Sequence, residues 1–121
     1  MIDENTITSV TRTIVERFHP KRIVLFGSHA RGDADQESDL DLFIEMETSL
    51  RPPDRAIEVA SVFGLHTWPM DILVYTPEEV KRLRAVHGTL LEEIESEGKV
   101  LYEEKQGHGM PCHYIGNNDV L

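Results

Sequence analysis

Asp39 and Asp41 stand two residues apart at the head of the apolar run Leu40-Asp41-Leu42-Phe43-Ile44. Side chains two apart on a strand share a face, so both carboxylates point one way while Leu40 and Leu42 point into the core. Carboxylates held that close repel each other, and a divalent cation is the usual remedy. Upstream, the apolar run Ile23-Val24-Leu25-Phe26 stops at Gly27-Ser28. Glycine tolerates the unusual backbone angles of a tight turn and lets the chain approach an anion closely. If Ser28 opens a helical turn, its free N–H groups and hydroxyl are placed to hold a phosphate. A phosphate cradle beside metal-binding carboxylates is the apparatus of phosphoryl or nucleotidyl transfer. A third acid, Asp71, is the only one in the run Met70–Tyr75. Near the mouth of an apolar strand it is costly unless solvated, paired or metal-bound, so it is either a third ligand or a strand-start marker.

The elements that must position these groups follow from periodicity and punctuation. Ile7, Val10, Ile14, Val15 and Phe18 fit one face of a helix over 5–18, which His19-Pro20 ends. Strands are expected over Ile23–Phe26 and Leu40–Met46, with the polar stretch 32–37 as a surface loop between them. Glu45 and Glu47 continue the parity of Asp39 and Asp41 and are read as exposed. A helix near Asp54–Phe63 offers Ala56, Ile57, Val59, Ala60 and Phe63 for packing, Gly64 stops it, and Trp68 is read as a packing residue. Met70–Tyr75 is a third strand. Thr76-Pro77-Glu78-Glu79 then opens a helix with a capping box and turns Val80, Leu83 and Val86 inward. Thr89–Glu97 is a further helix presenting Leu90, Leu91 and Ile94, with Gly98 as its C-terminal cap and a short strand Lys99–Tyr102 after it.

With 121 residues and 40% hydrophobic content the chain is long enough for one domain with a real core. Residues 1–104 are expected to form it, and the composition of 105–121 reads as a loose tail. His108, Cys112 and His113 in that tail lack a second matching pair and are not taken as a metal site. A single cysteine, no long apolar run and no signal-like N-terminus point to a reducing, cytoplasmic setting without a membrane span. The 22 acids against 12 Lys and Arg leave a net charge of −10, which argues against nucleic-acid binding and suits a basic partner or a cationic small molecule.

Gly27-Ser28, then Ala30-Arg31-Gly32, then Ser38-Asp39-Leu40-Asp41, resembles the signature of the DNA polymerase β-like nucleotidyltransferase superfamily. The compact spacing is similar to its minimal nucleotidyltransferase branch, whose members are often partnered with HEPN-domain proteins. The signature covers 27–41, and likeness of element order extends it to about 7–102. The resemblance implies an α+β fold: a small mixed β-sheet holding Asp39, Asp41 and Asp71 along one edge, with helices packed on one face. It implies Asp39, Asp41 and Asp71 as catalytic metal ligands for two Mg²⁺ ions, Asp71 also taking the acceptor's proton. Gly27, Ser28, Arg31 and Ser38 are the candidate phosphate-binding residues. Arg31 is equally able to pair with the acidic loop, and Ser38 to cap it. ATP is the expected donor. With no room expected after Tyr102 for a second, acceptor-binding domain, a protein acceptor or a partner subunit that completes the cleft is favoured; the resemblance then implies AMP transfer to a tyrosine of a HEPN-type toxin, which would make the chain an antitoxin. The alternatives are a non-catalytic subunit that masks its partner and an enzyme acting on a small molecule such as an aminoglycoside.

Overall fold

The computed structural model describes residues 2–35, 38–64 and 69–104, with the backbone of 113–114. Helix α1 (Glu4–Phe18) opens where Asp3 accepts the Thr6 amide (2.9 Å) and buries Val10, Thr11 and Ile14. It closes at His19, a left-handed cap with φ 51° ahead of Pro20. Strand β1 (Arg22–Phe26) leads into the four-residue helix α2 (Ser28–Arg31), and β2 (Leu40–Glu45) follows. Then come α3 (Pro52–Ser61), β3 (Met70–Tyr75), α4 (Pro77–Arg84), α5 (Leu90–Glu97), β4 (Lys99–Glu103) and the two-residue β5 (His113–Tyr114).

The strands lie in the order β3-β2-β1-β4-β5, with β2 and β3 parallel and the other neighbours antiparallel. This is the mixed α+β sheet that the resemblance implied. The helices, however, cover both faces rather than the one expected. Ile23, Leu25, Leu42, Ile44, Ile72 and Val74 pack with Val10 and Ile14 of α1 and Val59 of α3. Val24 and Phe43 meet Val80 of α4 and Leu91 and Ile94 of α5. The reason lies in the strands: β1 and β2 are apolar at successive interior positions, as strands buried on both sides must be.

Two ion-pair clusters fasten the layers. Arg55, 6% exposed, donates to the carbonyls of Leu50 (2.9 Å) and Val74 (3.2 Å) and to both Glu79 carboxylate oxygens (2.7 and 3.2 Å). It thereby ties α3 to the end of β3 and the start of α4, where Glu79 also completes the capping box with Thr76. Arg22 donates to Glu45 (3.1 Å) and Glu95 (2.9 Å), joining β1, β2 and α5. Glu45 is therefore a mostly buried ion-pair partner, not an exposed residue: the helices on its face shield it.

Three expected core residues are on the surface: Ile57, Val86 and Leu90 are 67%, 53% and 47% exposed. Ile57 is sited off the buried face that Arg55 and Val59 define, and α4 ends at Arg84, before Val86. Gly98 does follow α5, but in extended backbone (φ −80°, ψ 167°) rather than a left-handed cap. Its glycine is required by crowding: a Cβ there would lie 2.5 Å from Val24 Cγ1 and 2.9 Å from the Leu25 carbonyl. Trp68, Glu37 and the tail residues 105–121, apart from the backbone of β5, fall outside the described residues.

Candidate active site

The register of β2 and β3 builds the site. In this parallel pair Asp41 stands directly beside Asp71, flanked by Leu40–Met70 and Leu42–Ile72. Neighbouring strands lie about 4.8 Å apart, so the two carboxylates occupy adjacent places on one face. They share the face of Phe43 and Leu73. On the other side of Asp41, the antiparallel register sets Phe26 opposite it, which brings the end of β1 and the following turn against the carboxylate. Asp39 lies just before β2, exposed at the same end.

Gly27 is the contact point. It sits at φ 77°, ψ −157°, a region that essentially only glycine occupies. A Cβ there would overlap Asp41 Oδ2 and lie 3.0 Å from Asp41 Cγ, so the missing side chain is what lets the Asp41 carboxylate lie on the turn. Gly27 also starts α2: its carbonyl accepts the amides of Ala30 and Arg31, both at 3.1 Å. Among the described residues no backbone acceptor takes the N–H of Ser28 or His29. The Ser28 region thus has the open helix start expected of it.

Electrostatics single out Asp41. Its carboxyl is held above the ordinary carboxylate range, first by burial and then by the charges of Asp71 and Asp39. His29 and Arg31 oppose the rise. Asp39, Asp41, Asp71, His29 and Arg31 therefore act within one electrostatic neighbourhood.

The remaining candidates are placed differently. Arg31 Nε pairs with Asp33 Oδ2 (3.3 Å), with about half of its side chain exposed. The Asp35 amide donates to Ser38 Oγ (2.9 Å), and the Ser38 hydroxyl donates to Asp35 Oδ1 (3.1 Å). Ser38 accordingly closes the loop ahead of the acidic pair. His29, whose position in the motif gave no reason to single it out, has its Nε2 buried without a hydrogen-bond partner among the described residues. Beside Gly27 and Arg31 lies a cavity of about 170 Å³ whose far wall is Leu90, Glu93, Ile94 and Glu97 of α5. That wall could not be read from the sequence, because only the packing of α5 over β1 brings it to the turn.

As a donor set, three oxygen ligands with surplus negative charge suit a hard divalent cation. Among the described residues no three acidic, His or Cys side chains form a finished metal cage. Asp41 rests on Gly27, and Asp39 and Asp71 are exposed. The groups that would hold the ion are in place on the backbone, with the electrostatic reason for binding it.

A family profile described as "Polymerase beta, Nucleotidyltransferase" matches residues 8–107. A protein of Methanocaldococcus jannaschii, named as a candidate protein adenylyltransferase, is 39% identical over 80 residues, which span 64% of this chain and 74% of that protein. A solved structure described as a candidate nucleotidyltransferase from Sulfolobus solfataricus superposes with a TM-score of 0.56 at 20% identity, covering 84% of this chain and 80% of that one. A structure described as a toxin–antitoxin with AMP-PNP gives 0.54 at 22% identity, covering 82% and 75%. At those identities the two structures speak for the fold alone. The profile spans most of the chain and includes the turn and all three acids, and on that ground this chain belongs to the polymerase β-type nucleotidyltransferase family and is a nucleotidyltransferase.

Proposed function

We propose that the chain transfers AMP from ATP to a tyrosine hydroxyl of a HEPN-type toxin, the hydroxyl oxygen bonding to the α-phosphorus as the α–β anhydride bond breaks and pyrophosphate leaves, with Mg²⁺ as cofactor, and so acts as an antitoxin. The observation that carries the chemistry is the Asp41–Asp71 pair in register, with Asp41 resting on Gly27. Support for a protein acceptor comes from the relative named as a candidate protein adenylyltransferase, and support for the toxin setting from the toxin–antitoxin fold neighbour.

In this reading Asp39, Asp41 and Asp71 would hold Mg²⁺, which when bound would neutralise charge developing on the phosphates and acidify the acceptor hydroxyl. Asp71, at the sheet edge and exposed, takes the proton from that hydroxyl. Gly27 keeps the turn close to the β- and γ-phosphates, the Ser28 N–H and hydroxyl donate to them, and Arg31 exchanges Asp33 for phosphate oxygens. Ser38 acts by fixing the loop that carries Asp39. These residues supply positioning and charge rather than a nucleophile, which is what transfer to a hydroxyl requires.

The test is incubation with α-labelled ATP, Mg²⁺ and a HEPN-domain protein as the partner. Label should appear on the partner and vanish in the Asp39→Ala/Asp41→Ala variant. A chain that labels neither the partner nor any protein in a lysate would refute protein adenylylation. Neutralisation of the toxin by the unlabelling double variant would instead establish masking.

A further inference from the structure

A groove of about 370 Å³ runs between the start of α3 and α4, at the end of β3 away from Asp71. Pro52, Tyr75, Leu83 and Val86 give it an apolar wall, and Arg82 adds a cation. Val86 is 53% exposed, because α4 ends at Arg84 and no described residue covers the side chain. Apolar surface gathered in one concave place marks a contact site, unlike the single exposed residues of any protein surface.

The groups around the groove decide what can fill it. Its backbone is already occupied: Arg55 donates to the carbonyls of Leu50 and Val74, and the Tyr75 and Thr76 carbonyls accept the amides of Met46 and Val80. The Thr76 amide donates to Glu79. An extended segment must share its own N–H and C=O groups with the surface it joins, and none of these groups is free to pair with it. A helix satisfies its backbone internally and needs only a place for its apolar face. Charge sets the rest. Glu79, the acid in the groove, is held by two nitrogens of Arg55, whereas Arg82 makes no ion pair among the described residues. A carboxylate on the incoming helix complements it. A second copy of the chain is a poor occupant, since each copy brings a net charge of −10.

We propose that this groove docks an amphipathic helix of the protein that accepts AMP, with apolar side chains against Tyr75, Leu83 and Val86 and an acidic one paired with Arg82. The inference rests on the reading that the acceptor is a protein. Tyr75 is about 13 Å from Asp71 along β3, at roughly 3.3 Å per residue, so a helix docked here leaves the Gly27, Asp41 and Asp71 end open. The groove holds the acceptor and takes no part in the transfer.

The test measures binding of a HEPN-domain protein by surface plasmon resonance in the Asp39→Ala/Asp41→Ala background, which excludes turnover. Val86→Asp and Arg82→Glu are compared with Ile57→Asp, an apolar residue 67% exposed that does not line the groove, and folding of each is checked by circular dichroism. Val86→Asp should weaken binding about tenfold or more. Arg82→Glu should slow association and change its salt dependence, and Ile57→Asp should alter neither. With Asp39 and Asp41 restored, Val86→Asp should raise KM for the protein acceptor and leave kcat unchanged. Full affinity in a folded Val86→Asp protein whose acceptor is still labelled would overturn the groove and leave the proposed reaction standing. Binding that Val86→Asp weakens, without labelling by the wild type, would overturn the reaction alone. No complex with the wild type, or loss of self-association in place of partner binding in Val86→Asp, would overturn the docking.

Discussion

Gly27→Ala tests the geometry of the site directly, because one methyl group meets two separate obstacles. The first is the backbone. At φ 77°, ψ −157° a residue with a Cβ is strained by about 1–3 kcal/mol. The second is Asp41, whose Oδ2 the new methyl would overlap and whose Cγ it would approach to 3.0 Å. Asp41 is only partly buried and escapes by leaving its rotamer, at about 0.5–1.5 kcal/mol. The sum is roughly 2–4 kcal/mol, or about 10 °C in Tm at roughly 4 °C per kcal/mol for a domain of this size. A double-mutant cycle separates the two parts. In an Asp41→Ala background the carboxylate is gone and only the backbone cost remains, so Gly27→Ala should cost about 0.5–1.5 kcal/mol less there. Thermal and urea denaturation of the four proteins by circular dichroism measures this. In the labelling assay Gly27→Ala alone should lose on the order of 10²-fold, since it displaces a carboxylate from its working position. Additivity of the two substitutions within about 0.3 kcal/mol would refute the claim that Gly27 exists to seat Asp41.

Asp41 also predicts a pH dependence. Its folded pKa is raised above the ordinary 3.8, so its contribution to stability is present below that value and lost as pH rises through the folded pKa. Asp41→Asn should therefore be more heat-stable than wild type at pH 7 without metal, the difference closing toward pH 3.5; a constant difference across that range would contradict the like-charge reading. Glu79→Ala should cost about 2 kcal/mol, less than the 3–5 of a fully buried pair because Glu79 keeps a quarter of its side chain exposed, and is checked by urea melts. Arg55 holds the Glu79 carboxyl below its ordinary value, so the stability it adds is present above 4.5 and fades as pH falls through the folded pKa. Gly98→Ala should lower Tm through overpacking of about 1–3 kcal/mol against Val24 and the Leu25 carbonyl, although its backbone angles suit any residue.

Wherever local rules decide, the residues alone were enough. Thr76-Pro77 and Glu79 marked the start of α4, Met70–Tyr75 was a strand at both ends, and the Gly27-Ser28 turn broke β1 from α2, because caps, β-branching and glycine act within a few residues. The spacing of Asp39 and Asp41 likewise implied a shared face. Nothing local says which strand lies beside β2 or in what register. Only the tertiary fold placed Asp71 opposite Asp41 and laid Asp41 on Gly27. The same holds for burial. Leu90 and Val86 are as apolar as Leu91 and Val80, and whether a neighbouring element covers them is settled by helix length and packing angle, not by residue type. His29 is the sharpest case: at a variable position in a motif by sequence, its Nε2 is buried with no partner among the described residues only because the tertiary fold packs around it.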